Sequence, residues 1–419
     1  MTTTHPYYDI IIVGSGMAGL YSAYHIQRFA PDKSFLILEK FHKQWIGGRT
    51  SNETFYGTQV VTGAGIGRKD TNPLLIHLMK ELHVPYKQFH SVMDYSQLMH
   101  PVDVEKVIKQ LRTLYKKHLD LHGLTFKQFF IKMLGPKAYK QFIISAGYTD
   151  YENADLYETL YNYGMDDNKG GWSGLYIPWK KLVQTLYHKI GASHFKFHCN
   201  VVSIRSLKKN PNPCVFEIVS EQGATYMCNK VILATTISGI QKLVPDKHGI
   251  YKQIHGQPFL RLYGKFNKKS ATIMQQYVPN YTIVPGPLQK IIPIDANKGV
   301  YMIAYSDNAN AIVLKDHLEN NVENRKLYCH LIEQSLGIPP GSLELVAIKD
   351  FYWPIGTHYY EPLHASQFKN RDAFLKVAQH PEKGMLVVGE TVSRYQGWVE
   401  GALESVEAVL TKKWINDDC

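Results

Sequence analysis

The stretch Asp9-Ile-Ile-Ile-Val-Gly-Ser-Gly-Met-Ala-Gly-Leu20 constrains the fold more than any other part of the sequence. The β-branched run from Ile10 to Val13 reads as a strand buried on both faces, the environment of a parallel sheet. Gly14, Gly16 and Gly19 follow in G-x-G-x-x-G spacing, and Leu20 to Ile26 carries apolar residues at helical intervals. In such a strand–turn–helix unit the first glycine permits the tight turn. The second lets backbone approach a pyrophosphate, and the third lets helix and strand pack closely. Met17 and Ala18 open the helix, whose unpaired N–H groups would face the phosphates.

A glycine pattern alone is weak. It gains force from Lys33-Ser-Phe-Leu-Ile-Leu-Glu-Lys40, a second apolar run that ends at Glu39 and Lys40. Glu39 stands at the distance from Gly19 where a ribose-binding carboxylate belongs, and such a carboxylate would repel a 2′-phosphate. Residues 9–40 are therefore predicted to form a β-α-β unit that holds an ADP moiety, in a Rossmann-like α/β fold.

A chain of 419 residues suggests two domains, and 44% hydrophobic with 20% charged residues is a globular composition. The sequence has no apolar run long enough for a transmembrane helix, and its first residues lack the pattern of a signal peptide. Cys199, Cys214, Cys228, Cys329 and Cys419 form no C-x-x-C pair and are odd in number, which predicts a reduced intracellular, cytoplasmic protein without a metal cluster. The net charge of +11 would attract anions, but its lysines and arginines are spread along the chain, so no nucleic-acid partner is expected.

Further along, Gly47 and Gly48 precede Arg49, which could place a guanidinium fork on a pyrophosphate. Thr62-Gly-Ala-Gly-Ile-Gly-Arg68 suggests backbone at Gly65 and Ile66 pressed against a flat ligand, with Arg68 as a candidate anion contact. Asn72 and Pro73 read as a helix start. From Val102 to Gly123 the pattern is amphipathic, with Val104, Val107, Ile108, Leu111 and Leu114 on one face and lysines elsewhere. A core-facing helix is the expected reading, rather than a membrane-binding one. Residues 195–235 switch to short strands, and 258–266, 281–284, 300–305 and 345–351 read as strands of a separate sheet. Gly384 to Thr391 reads as a strand ending in glycine and acid. It leads to Tyr395-Gln-Gly-Trp-Val-Glu-Gly-Ala-Leu-Glu-Ser405, a helix start whose N-terminus can stabilise negative charge.

Taken together these segments resemble the flavin-dependent amine oxidase family, which includes monoamine and polyamine oxidases. The resemblance rests on Val13-Gly-Ser-Gly-Met-Ala-Gly19, Glu39, Gly47-Gly-Arg49, Gly389-Glu390 and Gly397-Trp-Val-Glu-Gly-Ala402. Asn200 to Ile204 and Val231 to Thr235 also fit. It implies an FAD contacted by Val201 at the adenine, by Gly389 and Glu390 near the ribityl–phosphate part, and by Trp398, Val399 and Ala402 near the ring. It further implies a substrate site with Trp398 against the ring, and Trp353, Tyr359 and Tyr360 as looser matches to its aromatic partner. The cofactor-binding domain would be discontinuous, over 1–75, 185–248 and 375–419. Residues 76–184 and 249–374 would form an α+β substrate-binding domain of helices and mixed sheet.

This sequence departs from the family in three places. Residues 352–365 contain no cysteine, so the FAD should be non-covalent. The family's lysine near the flavin is matched best by Arg261, with Lys265 a step away on the same strand. An arginine cannot take up a proton. The Gly63–Arg68 segment also lacks an arginine where amino-acid oxidases hold a substrate carboxylate, which favours a simple amine. The resemblance thus implies oxidation of an amine C–N bond by hydride transfer to FAD, with O2 regenerating the cofactor and yielding hydrogen peroxide. Two other readings stay open. One is an oxidase or desaturase of a large apolar substrate, like protoporphyrinogen oxidases and carotenoid desaturases. The other is a flavoprotein without turnover, which the Arg261 departure keeps in view.

Overall fold

A computed structural model describes residues 5–163, 171–207, 215–246 and 248–417. Cys214 and Cys419 lie outside them.

The Ile10–Val13 run is the centre of a seven-stranded sheet, as its composition predicts. The strand Tyr7–Val13 pairs in parallel with Thr225–Leu233 on one side and Phe35–Leu38 on the other. Phe195–Lys196 extends the sheet beyond Phe35–Leu38. On the other flank Phe216–Ser220 and Val201–Ser206 continue it antiparallel, and Met385–Val387 joins the end of Thr225–Leu233 in parallel. Alternation along the strand feeds two separate cores. Ile10 and Ile12 pack with Phe35, Ile37 and Ile232. Ile11 and Val13 pack with Leu36, Leu38, Val231 and Leu233. Each such side chain, when fully buried, contributes roughly 1.5–3 kcal/mol. Because both faces are apolar, burial alone would not penalise a one-residue slip. Register at the strand ends is held by backbone bonds from Gly14 to Leu38 and from Ala234 to Val13.

The helix Met17–Phe29 is buried continuously from Met17 to Ile26, because the sheet lies beneath it and the helices Trp179–Ile190 and Val399–Val409 lie beside it. Residues 9–40 thus form the predicted β-α-β unit.

The second sheet has six strands in the order Leu345–Tyr360, Ile254–Phe266, Val300–Asp307, Lys290–Asp295, Tyr281–Ile283 and Met93–Tyr95. Only the last pair is parallel, so the sheet is mixed. Sequence patterning predicts the others but misses Lys290–Asp295 and Met93–Tyr95. Pro293 lies within the first of these, beside a register shift, and a proline in a run argues against a central strand.

The pair Ile254–Phe266 and Leu345–Tyr360 runs from one layer into the other. Leu345 and Ile348 belong to the core of the second sheet, whereas Ile254 and Tyr360 belong to a core of the first. Midway, pairing jumps from Gln257↔Thr357 to Phe259↔Trp353. Pro258 and Pro354 lack the N–H groups a regular ladder would use there, and the extra residues bend the longer strand. Helices Val104–Lys117, Phe126–Leu134, Pro136–Ala146 and Leu156–Tyr161 share a further core. In the first of them Val104, Ile108 and Leu111 are buried and Val107 and Leu114 pack partly against the same core. Lys106, Lys109, Lys116 and Lys117 are exposed. This is the core-facing arrangement. Among the described residues no helix is long and apolar enough to cross a membrane.

Candidate functional site

A single cavity of about 2300 Å³ lies where the two sheets meet. Ordinary ligand pockets hold roughly 300–1,000 Å³, so there is room for a long ligand and a second, smaller one. Val13, Leu38, Ala234 and Gly389, at or just beyond the carboxyl ends of four parallel strands, line its floor. Ligands of open α/β sheets bind at that edge.

The three glycines of the fingerprint do different work. Gly14 has φ +105°, and a Cβ there would stand 2.5 Å from the Ala234 carbonyl oxygen. A Cβ on Gly19 would overlap the Gly14 carbonyl, so this glycine sets how closely helix and strand approach. A Cβ on Gly16 would meet no protein atom within 4 Å and would project into open space beside the cavity that Gly16 lines. Protein packing therefore does not require a glycine at 16, whose backbone is left open to close approach from the cavity.

Glu39 is buried, and its carboxylate is fixed in place. One oxygen accepts from the Ser15 amide at 2.8 Å and the Ser15 hydroxyl at 2.6 Å, and the other from the Phe41 amide at 2.9 Å. A carboxylate has about four acceptor positions, which leaves one for a ribose hydroxyl. Lys40 and Val201 line the cavity near it. This chain's residues fit a dinucleotide: a glycine cradle at a helix N-terminus, and a held carboxylate with an acceptor position to spare.

Arg49 does not reach out freely. Its Nη1 donates to the Gly356 carbonyl at 2.7 Å and to Glu390 at 2.9 Å, while the residue still lines the cavity. Glu390 also accepts from His358 Nδ1 at 2.5 Å and from the Gly397 amide at 2.8 Å. The Ile237 amide donates to His358 Nε2, so the imidazole proton sits on Nδ1, facing Glu390. Burial by itself would raise the Glu390 carboxyl, but His358, Arg49 and the Gly397 N–H outweigh it and hold it at about 2, against an ordinary 4.5. A carboxyl held lower in the folded state than in the unfolded one stabilises the fold above about pH 4.5. That contribution, on the order of 3 kcal/mol, is lost as pH falls toward 2. The urea midpoint should therefore drop across this window, and Glu390→Gln should flatten the drop.

Trp398, Val399 and Ala402 line the cavity at the start of the helix Val399–Val409. Trp398 is held by a bond from its Nε1 to Asn72 Oδ1 at 3.0 Å and by edge contact with Trp179. Asn72 is thereby diverted from capping its own helix, Pro73–Glu81. The Glu400 carboxylate instead accepts from the Leu74 and Leu75 amides at 2.7 and 3.0 Å. Gly65 and Ile66 line the cavity too. The glycines around them, however, answer to protein neighbours as much as to a ligand. A Cβ on Gly63 would overlap the Arg49 carbonyl, and one on Gly65 would lie 2.8 Å from Arg261 Nη2.

From the six-stranded sheet come Arg261, Trp353, Phe259, Tyr281 and Tyr305, joined by Tyr148 and Asp150 from the helical layer. Trp353 Nε1 donates to the Thr62 carbonyl at 2.8 Å. Two expected residues are not there. Tyr360 is buried in the first core with its hydroxyl bonded to the Thr391 and Ser393 carbonyls, and Tyr359 stacks on His255 on the opposite side of the strand. The bulge after Trp353 turns the strand away from the cavity, so Thr357 is the last of its residues to line it. Lys265 points away as well, toward the Lys298 carbonyl. Arg261, with Phe259 and Tyr263 of the same strand, lines the chamber instead.

Lys290 is a functional candidate that the sequence pattern did not show. It is fully buried, its Nζ lies 2.9 Å from the Tyr148 ring centroid and 4.1 Å from that of Tyr305, and it makes no hydrogen bond. Burial pushes its ammonium down to about 7, against the pull of Asp307 and Asp150. Asp150, bonded by the Tyr163 hydroxyl, is pushed up to about 7 by burial and by Asp307. A lysine ahead of Ile291 and Ile292 was the available signal, but Pro293 masked the strand that carries it.

Residues 12–82 match the NAD(P)-binding Rossmann-like domain. An uncharacterised protein of Acanthamoeba polyphaga mimivirus, R188, is 20% identical, over 96% of this chain and 93% of its own. Among solved structures, wild-type putrescine oxidase bound to putrescine aligns with TM-score 0.74 at 14% identity, covering 97% of this chain and 98% of that one. A mutant of the same oxidase, from a redesign of its cofactor binding, aligns with TM-score 0.74 at 13% identity and the same coverage. The chain shares its overall fold with that oxidase.

Proposed function

We propose that this chain is an FAD-dependent oxidoreductase that oxidises the C–N bond of a small amine. The observation that carries the reading is the continuity of the cavity. One space is lined by Gly16 and Glu39, by Arg49 and Glu390, and by Trp398, Trp353 and a group of tyrosines. FAD, when bound, supplies the hydride acceptor and, through reoxidation by O2, hydrogen peroxide.

The chain's own residues do the rest. Glu39 accepts a ribose hydroxyl, and the N-terminal amides of Met17–Phe29 face a pyrophosphate. Arg49, held by Glu390, presents a fixed charge to the same ligand. Trp398, Trp353, Tyr148 and Tyr305 confine the substrate and exclude water. Asp150 and Lys290, both brought close to neutrality, are placed to hold a proton near the chamber.

Non-covalent attachment is supported by the cysteines. Cys199 is the one that lines the cavity among the described residues. Its amide is bonded to the Glu39 carbonyl, at the ribose end, and burial pushes its thiol up, away from the reactive thiolate. The charged and hydroxyl groups of the chamber speak against a purely apolar substrate. A cytoplasmic location and a discontinuous cofactor domain over 1–75, 185–248 and 375–419 complete the reading.

The test is the visible spectrum of the purified protein, followed by anaerobic addition of amines. Released flavin that one amine bleaches supports the reading, and folded protein without flavin overturns it. With the amine in hand, kcat/KM should rise with pH as the substrate ammonium loses its proton. A flat profile from about pH 6 to 10 would count against amine oxidation.

A further inference from the structure

Behind the cavity lining, five charged side chains form one ladder. Arg371 is buried over the rings of Tyr360 and Phe374, and its Nη2 donates to Asp155 at 3.0 Å and to the Glu361 carbonyl at 2.9 Å. The other oxygen of Asp155 accepts from the Glu158 amide and so caps the helix Leu156–Tyr161. The Glu158 carboxylate comes next, with Oε1 3.8 Å from Arg371 Nε and 2.6 Å from Arg394 Nη1. Arg394 in turn donates from Nε and Nη2 to one oxygen of Asp372, at 3.0 and 2.6 Å. A lone exposed ion pair contributes little. The Glu158 side chain, however, is only 12% exposed and has a guanidinium on either side, so its pair with Arg394 is held in one geometry.

The ladder joins two walls of the cavity. Glu158 Oε2 accepts from Asn162 Nδ2 at 2.6 Å, and Asn162 and Tyr163 line the chamber on the helical side. Arg394 directly precedes Tyr395, Gln396, Gly397 and Trp398, which also line it. Within that stretch the Ser393 hydroxyl donates to Glu404 and the Gly397 amide to Glu390, contacts that tie it to its own layer. The Arg394–Glu158 pair ties it across to the helical layer.

We infer that Arg394 and Glu158 are positioning residues. Their pair sets the separation of the Trp398 wall from the Asn162–Tyr163 wall, and with it the alignment of a substrate confined between them. This deepens the amine-oxidation reading and rests on it for the substrate, whereas the coupling of the two walls stands on the contacts alone.

The test uses the purified flavoprotein and the amine that bleaches it. In Arg394→Met, circular dichroism and flavin content should stay unchanged, while anaerobic reduction at saturating amine slows at least about tenfold. A misplacement of about 1 Å from a remote change is enough for such a loss. Glu158→Gln keeps an acceptor for Asn162 and should give a smaller fall in the same direction; it serves if Arg394→Met does not fold. The double variant should be no slower than Arg394→Met alone, because both changes act on one contact. Arg394→Lys should recover part of the rate. Hydrogen exchange gives a readout without turnover. The amides of 158–163 and of 394–398 should exchange faster together in either single variant. The inference is overturned if reduction is unchanged, if the losses multiply in the double variant, or if exchange rises on one wall only. Protein without flavin, or flavin that no amine bleaches, defeats the oxidase reading instead, while hydrogen exchange still decides the coupling.

Discussion

Gly16→Val is expected to abolish flavin binding while leaving the protein folded. The backbone at Gly16 is extended, with φ −69° and ψ 179°, a conformation open to any residue. A Cβ there meets no protein atom within 4 Å, so a side chain can start at this position without a clash inside the protein. Its main effect is expected on whatever occupies the space in front of the Met17–Phe29 helix. If a pyrophosphate lies there, a branched side chain displaces it from the helix amides. A loss of at least about a hundredfold in affinity, near 2.8 kcal/mol, should follow. Flavin fluorescence released by denaturation, compared at equal protein concentration, measures this directly, with circular dichroism confirming the fold. Retention of flavin would mean that this end of the cavity holds something else. Gly19→Ala is the informative contrast. Its methyl would overlap the Gly14 carbonyl, so that variant should lose stability as well as flavin.

Glu390→Ala should destabilise the protein more than any other single truncation at the site. The carboxylate is buried and pairs with Arg49, His358 and the Gly397 amide. Its removal strands a guanidinium, an imidazole N–H and a backbone N–H together. Breaking a buried pair by deleting one partner costs about 3–5 kcal/mol, because the surviving charge keeps its desolvation penalty. The thermal midpoint should fall by about 3–6 °C. Arg49→Met in the same chain should recover part of the loss, since it removes the stranded charge. Equal or additive losses in the double variant would show that the two residues do not act as a unit.

The half of the cavity proposed to hold the cofactor was legible in the sequence for a physical reason. A glycine fingerprint, a carboxylate at the end of the next strand and a glycine–acid pair before a helix are local features, each tied to one backbone geometry. Gly14, Glu39, Glu390 and Trp398 stand where their neighbours in the chain put them. The chamber proposed for the substrate was not legible in this way. Tyr148, Tyr281, Tyr305 and Lys290 come from separate elements and meet only through sheet pairing, which has no short-range signature. Tyr359 and Tyr360 misled because the strand, bent at the bulge beside Pro258 and Pro354, leaves the cavity after Thr357. Lys290 was hidden because Pro293 made a real strand look like a turn. Asn72 was read as a helix cap, whereas it holds Trp398 and leaves the capping to Glu400.

The long strand pair through the middle of the molecule bears on how a substrate gets in. Leu345–Tyr360 spans about 50 Å at the usual rise per residue, with Ile254–Phe266 bonded along most of its length. Two cores are thus threaded on one doubled beam. To swing the layers apart like jaws would mean snapping ladder bonds in the beam itself, not bending a loop. On the proposed function, a ligand would then enter without the two cores parting along this pair, and variants that change which ligands are admitted should lie in the cavity lining rather than in the beam.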